Sequence, residues 1–227
     1  MPVYNEEGVI EKVIREVCNQ ILEKFKNPEL VVINDCSTDS TLSILEKLKK
    51  EYPYLKIITN PQNLGHGPSL INGFVATTGE YIFCLDSDNQ IQIKEFWPLW
   101  ERMKKEKLDV VTGVRKNRKD PKYRLLISKI LRLFNKTIFN VNIRDINCPF
   151  KIYKYSALKQ ILSIVPSDTF IPSILMLIAV SRLRLKIDEV EVTHLPRKTG
   201  KSFIRDLKIL KLCWRSLVEL FRFKKMV

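Results

Sequence analysis

The chain alternates, and the alternation admits few folds. Short apolar runs that stop at acids or amides are each followed by a segment whose apolar residues recur at helical spacing. Val9, Ile10, Val13, Ile14, Val17, Ile21, Leu22 and Phe25 keep the i, i+3, i+4 pattern of a helix with one buried face. Leu30-Val31-Val32-Ile33 then reads as a buried strand ending in Asn34-Asp35-Cys36-Ser37-Thr38-Asp39. Thr38 and Asp39 suit the cap of a helix carrying Leu42, Leu45 and Leu48, and Leu55 to Thr59 is the next short strand. The loop Asn63-Leu64-Gly65-His66-Gly67 opens a helix through Leu70, Ile71 and Phe74, after which the run Tyr81 to Leu85 stops at Asp86-Ser87-Asp88. A helix at roughly 94–106, a strand at Val110–Val114, a helix at Tyr123–Phe139, a strand at Phe150–Tyr153, two helices and a strand at Leu185–Val192 complete the order. Strands alternating with helices predict an α/β fold, a mainly parallel sheet covered on both faces.

Composition narrows the partners. The 227 residues are 45% apolar and 28% charged with only 7 glycines, which excludes disordered, collagen-like and low-complexity classes. Lys plus Arg (39) against Asp plus Glu (25) leaves +14, a field that favours anionic partners: nucleic acid, acidic lipid or phosphate-bearing small molecules. Cys18, Cys36, Cys84, Cys148 and Cys213 form no C-x-x-C pair, so the expectation is a reduced chain, cytoplasmic, without disulfides or zinc. Neither a secretory signal nor a membrane span is expected. The start Met-Pro-Val-Tyr-Asn-Glu-Glu lacks an apolar core. The apolar stretch Phe170–Val180, broken by Pro172 and Ser173, is short of the roughly 20 residues a bilayer requires.

In open α/β sheets ligands sit at the carboxyl ends of strands, and that is where these acids fall. Asp86-x-Asp88 follows a strand directly and puts both carboxylates on one side of an extended segment, able to share one Mg²⁺ or Mn²⁺ with a diphosphate. A solvated turn is the plain alternative. In the second cluster Thr38 and Asp39 are explained by helix capping, whereas Asp35 is not so easily explained.

Taken in order, Pro2-Val3-Tyr4-Asn5-Glu6-Glu7, Asn34 to Asp39, Asn63-x-Gly65-x-Gly67 and Asp86-Ser87-Asp88-Asn89-Gln90 resemble the family-2 glycosyltransferases of GT-A fold. Val114-Arg115, Arg124-Leu125-Leu126-Ile127-Ser128, Arg144 to Lys151 and His194-x-x-Arg197-x-x-Gly200-Lys201-Ser202 are similar to the polyprenyl-phosphate sugar synthases, the dolichyl-phosphate mannose synthase group. The resemblance spans residues 2 to 203. It implies that Pro2, Tyr4, Asn5, Glu6, Asp35, Asp39, Asn63, Gly67 and Ser87 serve the donor, and that Asp86, Asp88 and Gln90 hold the metal on its diphosphate. Arg115, Arg124, Arg197, Lys201 and Ser202 would gather the phosphates, with Asp88, Arg115, Arg124 and Arg197 the catalytic set. It further implies an inverting, Mg²⁺- or Mn²⁺-dependent transfer of a mannose- or glucose-type sugar to a polyprenyl phosphate at the cytoplasmic face of a membrane. A separate membrane-anchor protein is compatible with it, and nucleic acid is not a partner. Relatives carry an apolar strand before the Pro-x-Tyr-Asn-Glu-Glu motif, so the first strand is expected to be missing here.

The residues agree chemically. A phosphomonoester is already anionic near neutral pH, so it needs positive charge around it more than a general base. Guanidinium forks and a cation supply that charge. A hydroxyl acceptor on a glycan would instead need a carboxylate, and Asp145 is either that group or a partner of Arg144. Arg115 and Arg124 are otherwise surface arginines, and His66 and His194 are read as structural. Cys36 and Cys148 stand at small-residue positions as packing variants. Residues 1–202 form the catalytic domain, and 203–227 a basic amphipathic helix. Phe203, Leu207, Leu210, Trp214, Leu217 and Phe221 share one side of it, which either lies on an anionic membrane or docks on the chain's own core or a partner. A nucleic-acid-binding protein and a noncatalytic relative are the competing classes. No nucleic-acid module signature supports the first.

Overall fold

The strand expected to be missing is present as a stub. β1 (Pro2–Val3) lies parallel to β2 (Leu30–Asn34), Pro2 opposite Ile33 and Val3 opposite Asn34. The ladder runs back through Met1, whose amine donates to Val31 O at 2.9 Å and whose carbonyl accepts from Ile33 N at 2.9 Å. The computed structural model describes residues 1–116, 122–196 and 209–226, and of 122–126, 209–211 and 213 the backbone alone.

All five residues of β2 are buried, which explains a run with no polar alternation. α1 (Ile10–Gln20) covers one face of the sheet with Ile10, Val13, Ile14, Val17 and Cys18, the stripe its spacing predicts. α2 (Thr41–Glu51) adds Leu45 and Leu48 to the same layer and leads into β3 (Leu55–Thr59), parallel to β2 from Leu30 opposite Leu55 to Asn34 opposite Thr59. Then come α3 (His66–Val75), β4 (Tyr81–Cys84), α4 (Phe96–Lys105), β5 (Val110–Lys116), α5 (Lys122–Phe139) and β6 (Lys151–Lys154). α6 (Tyr155–Leu162), α7 (Pro172–Arg182), β7 (Ile187–Thr193) and α8 (Ile209–Met226) close the chain. The largest boundary difference from the sequence reading is at the first helix, whose pattern runs to Phe25 but which ends at Gln20 before a short 3₁₀ turn at Leu22–Lys24; β5 runs on to Lys116 and β7 starts two residues later than expected.

Strand orders are β1-β2-β3 and β4-β6-β5-β7. β6 runs antiparallel to β4 and β5, and the other three of the five pairings across the two sheets are parallel, so the α/β fold is mostly parallel as expected. One apolar layer gathers α1, α2 and α4 with aromatic contacts among Phe25, Phe83, Phe96, Trp97 and Trp100. The other gathers α3, α6 and α7. Ile174 to Val180 are buried on every side of α7, a helix apolar all round and therefore interior. α8 joins this second layer through Leu220 and Phe223.

Candidate active site

Parallel pairing of β1 and β2 sets their carboxyl ends side by side, and the loops leaving them are stitched together. Asn5, at φ 52°, donates its backbone N–H to Ser37 Oγ and accepts from Thr38 N at 2.8 Å through its side chain. Glu6 N donates to the buried Thr41 hydroxyl at 2.9 Å. Asp39 accepts from Glu7 N at 3.2 Å and Thr41 N at 3.0 Å. Burial works against its charged form, but these bonds prevail and hold its carboxyl below the usual range. One of these bonds meets the first residue of α2 and the other ties that helix start to the loop after β1. Tyr4 stays on the surface beside this seam, while Pro2 is buried.

Asp35 reaches the other way. Its buried carboxylate accepts from Leu64 N at 2.9 Å, Gly65 N at 2.8 Å and Asn60 Nδ2 at 2.8 Å. It thus fastens the glycine loop to the end of β2. Gly65 sits at φ 88°, a conformation that costs a side-chain-bearing residue about 1 kcal/mol or more. Gly67 is a glycine for a different reason: a Cβ there would lie 2.0 Å from Thr169 O. Asn63 is exposed at the loop's outer edge.

The loop delivers His66 to the acids. His66 Nε2 lies 3.0 Å from Asp86 Oδ1. Partial desolvation opposes the charged form of the half-exposed imidazole, yet the attraction and hydrogen bond of Asp86 outweigh it and raise the His66 pKa. Burial likewise opposes the charged Asp86, and His66, Arg115 and Lys151 together overcome it, holding the carboxyl low. Asp86, Asp88 and Gln90 line one small cavity of about 40 Å³ with Arg115 and His194. Ser87 is buried between the two acids. Asp88 Oδ1 accepts from Gln90 N at 3.1 Å. Gln90 in turn donates to Leu195 O while accepting from Leu195 N, and Ile91 bridges His194. The two acids line the same cavity as Arg115 and His194. Two carboxylates and an amide oxygen form a hard, oxygen-only donor set suited to Mg²⁺ or Mn²⁺. Among the described residues no group of three His, Cys, Asp or Glu side chains forms a cage, so remaining positions would fall to a ligand or water.

Arg115 and Asp145 form a two-pronged pair, Nε to Oδ2 at 2.7 Å and Nη2 to Oδ1 at 2.9 Å. Arg115 N donates to the same carboxylate at 3.2 Å. Asp145 therefore does not partner Arg144, which binds Glu189 and Glu191 instead. Sequence reasoning also missed Lys151, buried in β6 with its amine donating to Cys148 O, its pKa lowered by burial. The signal was a lysine inside an apolar strand run. Burial pushes the Cys148 thiol up to about 11 and the Cys84 thiol to about 12, in keeping with unreactive packing roles. Arg197, Lys201, Ser202 and the Arg124 side chain lie outside the described residues.

The Glycosyl transferase family 2 model matches residues 1–162. An undecaprenyl-phosphate 4-deoxy-4-formamido-L-arabinose transferase of Pseudomonas syringae is 28% identical over 217 residues, covering 93% of this chain and 61% of that protein. A dodecaprenyl-phosphate galacturonate synthase of Rhizobium johnstonii is 29% identical over 204 residues, 89% of this chain and 60% of that protein. The chain thus spans about three fifths of the length of these relatives. In fold it is similar to glucosyl-3-phosphoglycerate synthase of Mycobacterium tuberculosis, solved with Mn²⁺, UDP and glucosyl-3-phosphoglycerate. There the TM-score is 0.68 at 18% identity, over 96% of this chain and 75% of that one. It is also similar to S. aureus TarS 1–349 with UDP-GlcNAc, at a TM-score of 0.62 and 23% identity over 89% of this chain and 60% of that one.

Proposed function

Because the chain belongs to glycosyl transferase family 2, we propose that it transfers a sugar from a nucleotide-sugar to the phosphate of a polyprenyl phosphate, with inversion. The observation that carries this reading is the cavity lined jointly by Asp86, Asp88, Gln90 and Arg115 at the end of β4, with His66 of the glycine loop bonded to Asp86. Asp86, Asp88 and Gln90 would hold a divalent cation, which when bound neutralises the donor diphosphate. The stitched loops of β1 and β2 form the nucleoside side through Tyr4, Asn5, Glu6 and Asp35, with Asn63 and Gly67 beside them. Arg115 stands ready for phosphate oxygens, its guanidinium fixed by Asp145 and its edge on the cavity. Arg124, Arg197, Lys201 and Ser202 complete the anion-binding set in this proposal.

A phosphate acceptor fits better than a hydroxyl because the carboxylate available as a base, Asp145, has both oxygens engaged by Arg115. An anionic nucleophile requires no proton removal. The relatives' names widen the donor sugar beyond mannose or glucose to uronic and amino-pentose types. Membrane association at the cytoplasmic face is part of the proposal, and it rests on exposed apolar side chains. Trp214, Phe221 and Met226 of α8 and Ile130 and Leu133 of α5 remain exposed, with Phe134 and Phe221 in ring contact joining the two helices. No described helix is long and apolar enough to cross a membrane.

The test is a panel of nucleotide-sugars incubated with a short polyprenyl phosphate and Mg²⁺ or Mn²⁺. Asp86→Asn and Asp88→Asn are each expected to cut turnover by about 10³-fold or more, with circular dichroism unchanged. Wild-type turnover in either variant would refute the metal assignment.

A further inference from the structure

Lys151 is a basic residue in the middle of a sheet. It lies on β6, the strand between β4 and β5, opposite Cys84 on one side and Thr112 on the other. The side chain is almost wholly buried, and so are its chain neighbours Phe150, Ile152 and Tyr153. A lysine is seldom enclosed in this way, and burial works against its charged form. A methionine would fill the same space without that cost, so packing alone does not explain the residue.

Its amine reaches the turn that precedes the strand. Nζ donates to Cys148 O, and Cys148 N donates to Asp145 O at 3.3 Å, closing the four residues Asp145–Cys148. β5 holds the same segment from the side. Gly113 N donates to Phe150 O at 2.8 Å, and Gly113 leaves room for the Cys148 thiol, since a Cβ there would lie 2.9 Å from Sγ. Two residues further along β5, Arg115 gives its backbone N–H and its guanidinium to the Asp145 carboxylate. One end of the turn therefore carries the group that fixes Arg115. The other end leads into Pro149 and Phe150, which line the acid cavity together with Arg115. Lys151 is fastened to Cys148, between those two ends, and is not itself in the cavity lining.

We infer that Lys151 is a positioning residue for phosphate capture: by holding Cys148 O it sets the Asp145 turn, and through Asp145 it keeps the Arg115 guanidinium at the cavity. The inference rests on the phosphate-gathering role proposed above for Arg115. Displacement of a binding group by about 1 Å is enough to cost much of what it contributes.

The experiment is calorimetric titration of the 227-residue chain with two probes, inorganic pyrophosphate with Mg²⁺ for the donor side and inorganic phosphate for the acceptor side. Wild type, Arg115→Gln, Lys151→Met and the double variant are compared, with Tm measured on each. Arg115→Gln is expected to weaken at least one probe by about tenfold or more, and Lys151→Met to weaken the same probe by about threefold or more. The double variant should lose no more than Arg115→Gln alone, because the lysine acts through the arginine. Losses that add in the double variant would overturn the inference. Wild-type affinities in Lys151→Met would overturn it too, and with a lowered Tm they would leave the lysine a purely structural role. Tighter binding of Mg²⁺ alone with unaltered phosphate affinity would show an ammonium acting by its charge on Asp86, and that also overturns it. Wild-type affinity of Arg115→Gln for both probes would instead sink the role given to Arg115, and this inference with it. If Lys151→Met does not fold, Lys151→Gln, too short to reach Cys148 O in the same way, is held to the same outcomes.

Discussion

Asp145 and Arg115 are 7% and 13% exposed and meet through two short bonds, which makes them costly to separate. Removing one charge from a pair so buried leaves the other uncompensated, at about 3 kcal/mol. Asp145→Asn should therefore unfold at markedly lower denaturant with an unchanged slope. A midpoint equal to wild type would mean that Arg115 finds equivalent partners. The His66–Asp86 contact behaves differently because the imidazole is about half exposed and solvent screens the pair. His66 titrates above its ordinary 6.5, so its contribution is complete below that pH and is lost as pH rises through the raised value. Asp86 titrates below its ordinary 3.8, so its contribution is complete above that pH and is lost as pH falls through the depressed value. In metal-free protein the Tm gap between wild type and His66→Gln should be widest between about pH 4 and 6.5 and should close on the alkaline side, at about 0.5 kcal/mol or less. A gap that grows toward alkaline pH would reverse the assignment.

At the scale of elements, α8 is tied to the glycine loop through the Thr169–Phe170 segment. Glu219 accepts from Phe170 N at 3.0 Å and from the Thr169 hydroxyl, Arg215 lies 4.7 Å over the Phe170 ring, and Thr169 O presses on Gly67 at the start of α3. Gly67→Ala must push that carbonyl away, and about 3 kcal/mol of overpacking is expected. Proteolysis within α8 should quicken in the same variant. Wild-type stability would show that the 166–171 loop yields freely. This connection was not legible in the sequence: Asn63-x-Gly65-x-Gly67 reads as one ligand loop, yet Gly65 answers a backbone angle and Gly67 a carbonyl from a distant segment. The order of elements was legible because each run carries its own period. β1 was not, since two residues show no period at all, and the Arg115–Asp145 pair was not, since it joins β5 to the loop before β6. Asp86, Asp88 and Gln90 were legible as a group because the chain places them next to one another at a strand end.

Across the whole molecule the excess positive charge has a direction that the count of +14 does not give. A helical wheel of the C-terminal segment contains more apolar residues than one docking stripe uses, and the wheel alone does not say which partner each meets. Leu220 and Phe223 are spent on the core, while Trp214 is 70% exposed and Phe221 49%. Of the stripe singled out by periodicity, Trp214 and Phe221 are thus left outside and Leu217 is half-buried, and α5 likewise leaves Ile130 and Leu133 exposed. Exposed Lys129, Arg132 and Lys136 on α5 and Arg215, Arg222, Lys224 and Lys225 on α8 accompany it. An apolar ridge among cations suits an anionic bilayer surface, each basic residue near it contributing about 1 kcal/mol and each inserted aromatic about 1.5–3 kcal/mol. Phe221 is partly shielded by Phe134 already, so replacing it together with Trp214 by alanine removes about 2–3 kcal/mol, a roughly 30- to 150-fold loss of partitioning in a flotation assay with phosphatidylglycerol vesicles. Added salt should weaken wild type further, because the cationic share is screened over about 10 Å at 0.1 M. Because neither side chain is buried in the core, the double variant should keep its Tm, which separates a lost membrane contact from a lost fold. Equal flotation with neutral vesicles, or no effect of the double substitution, would assign this face to a protein partner.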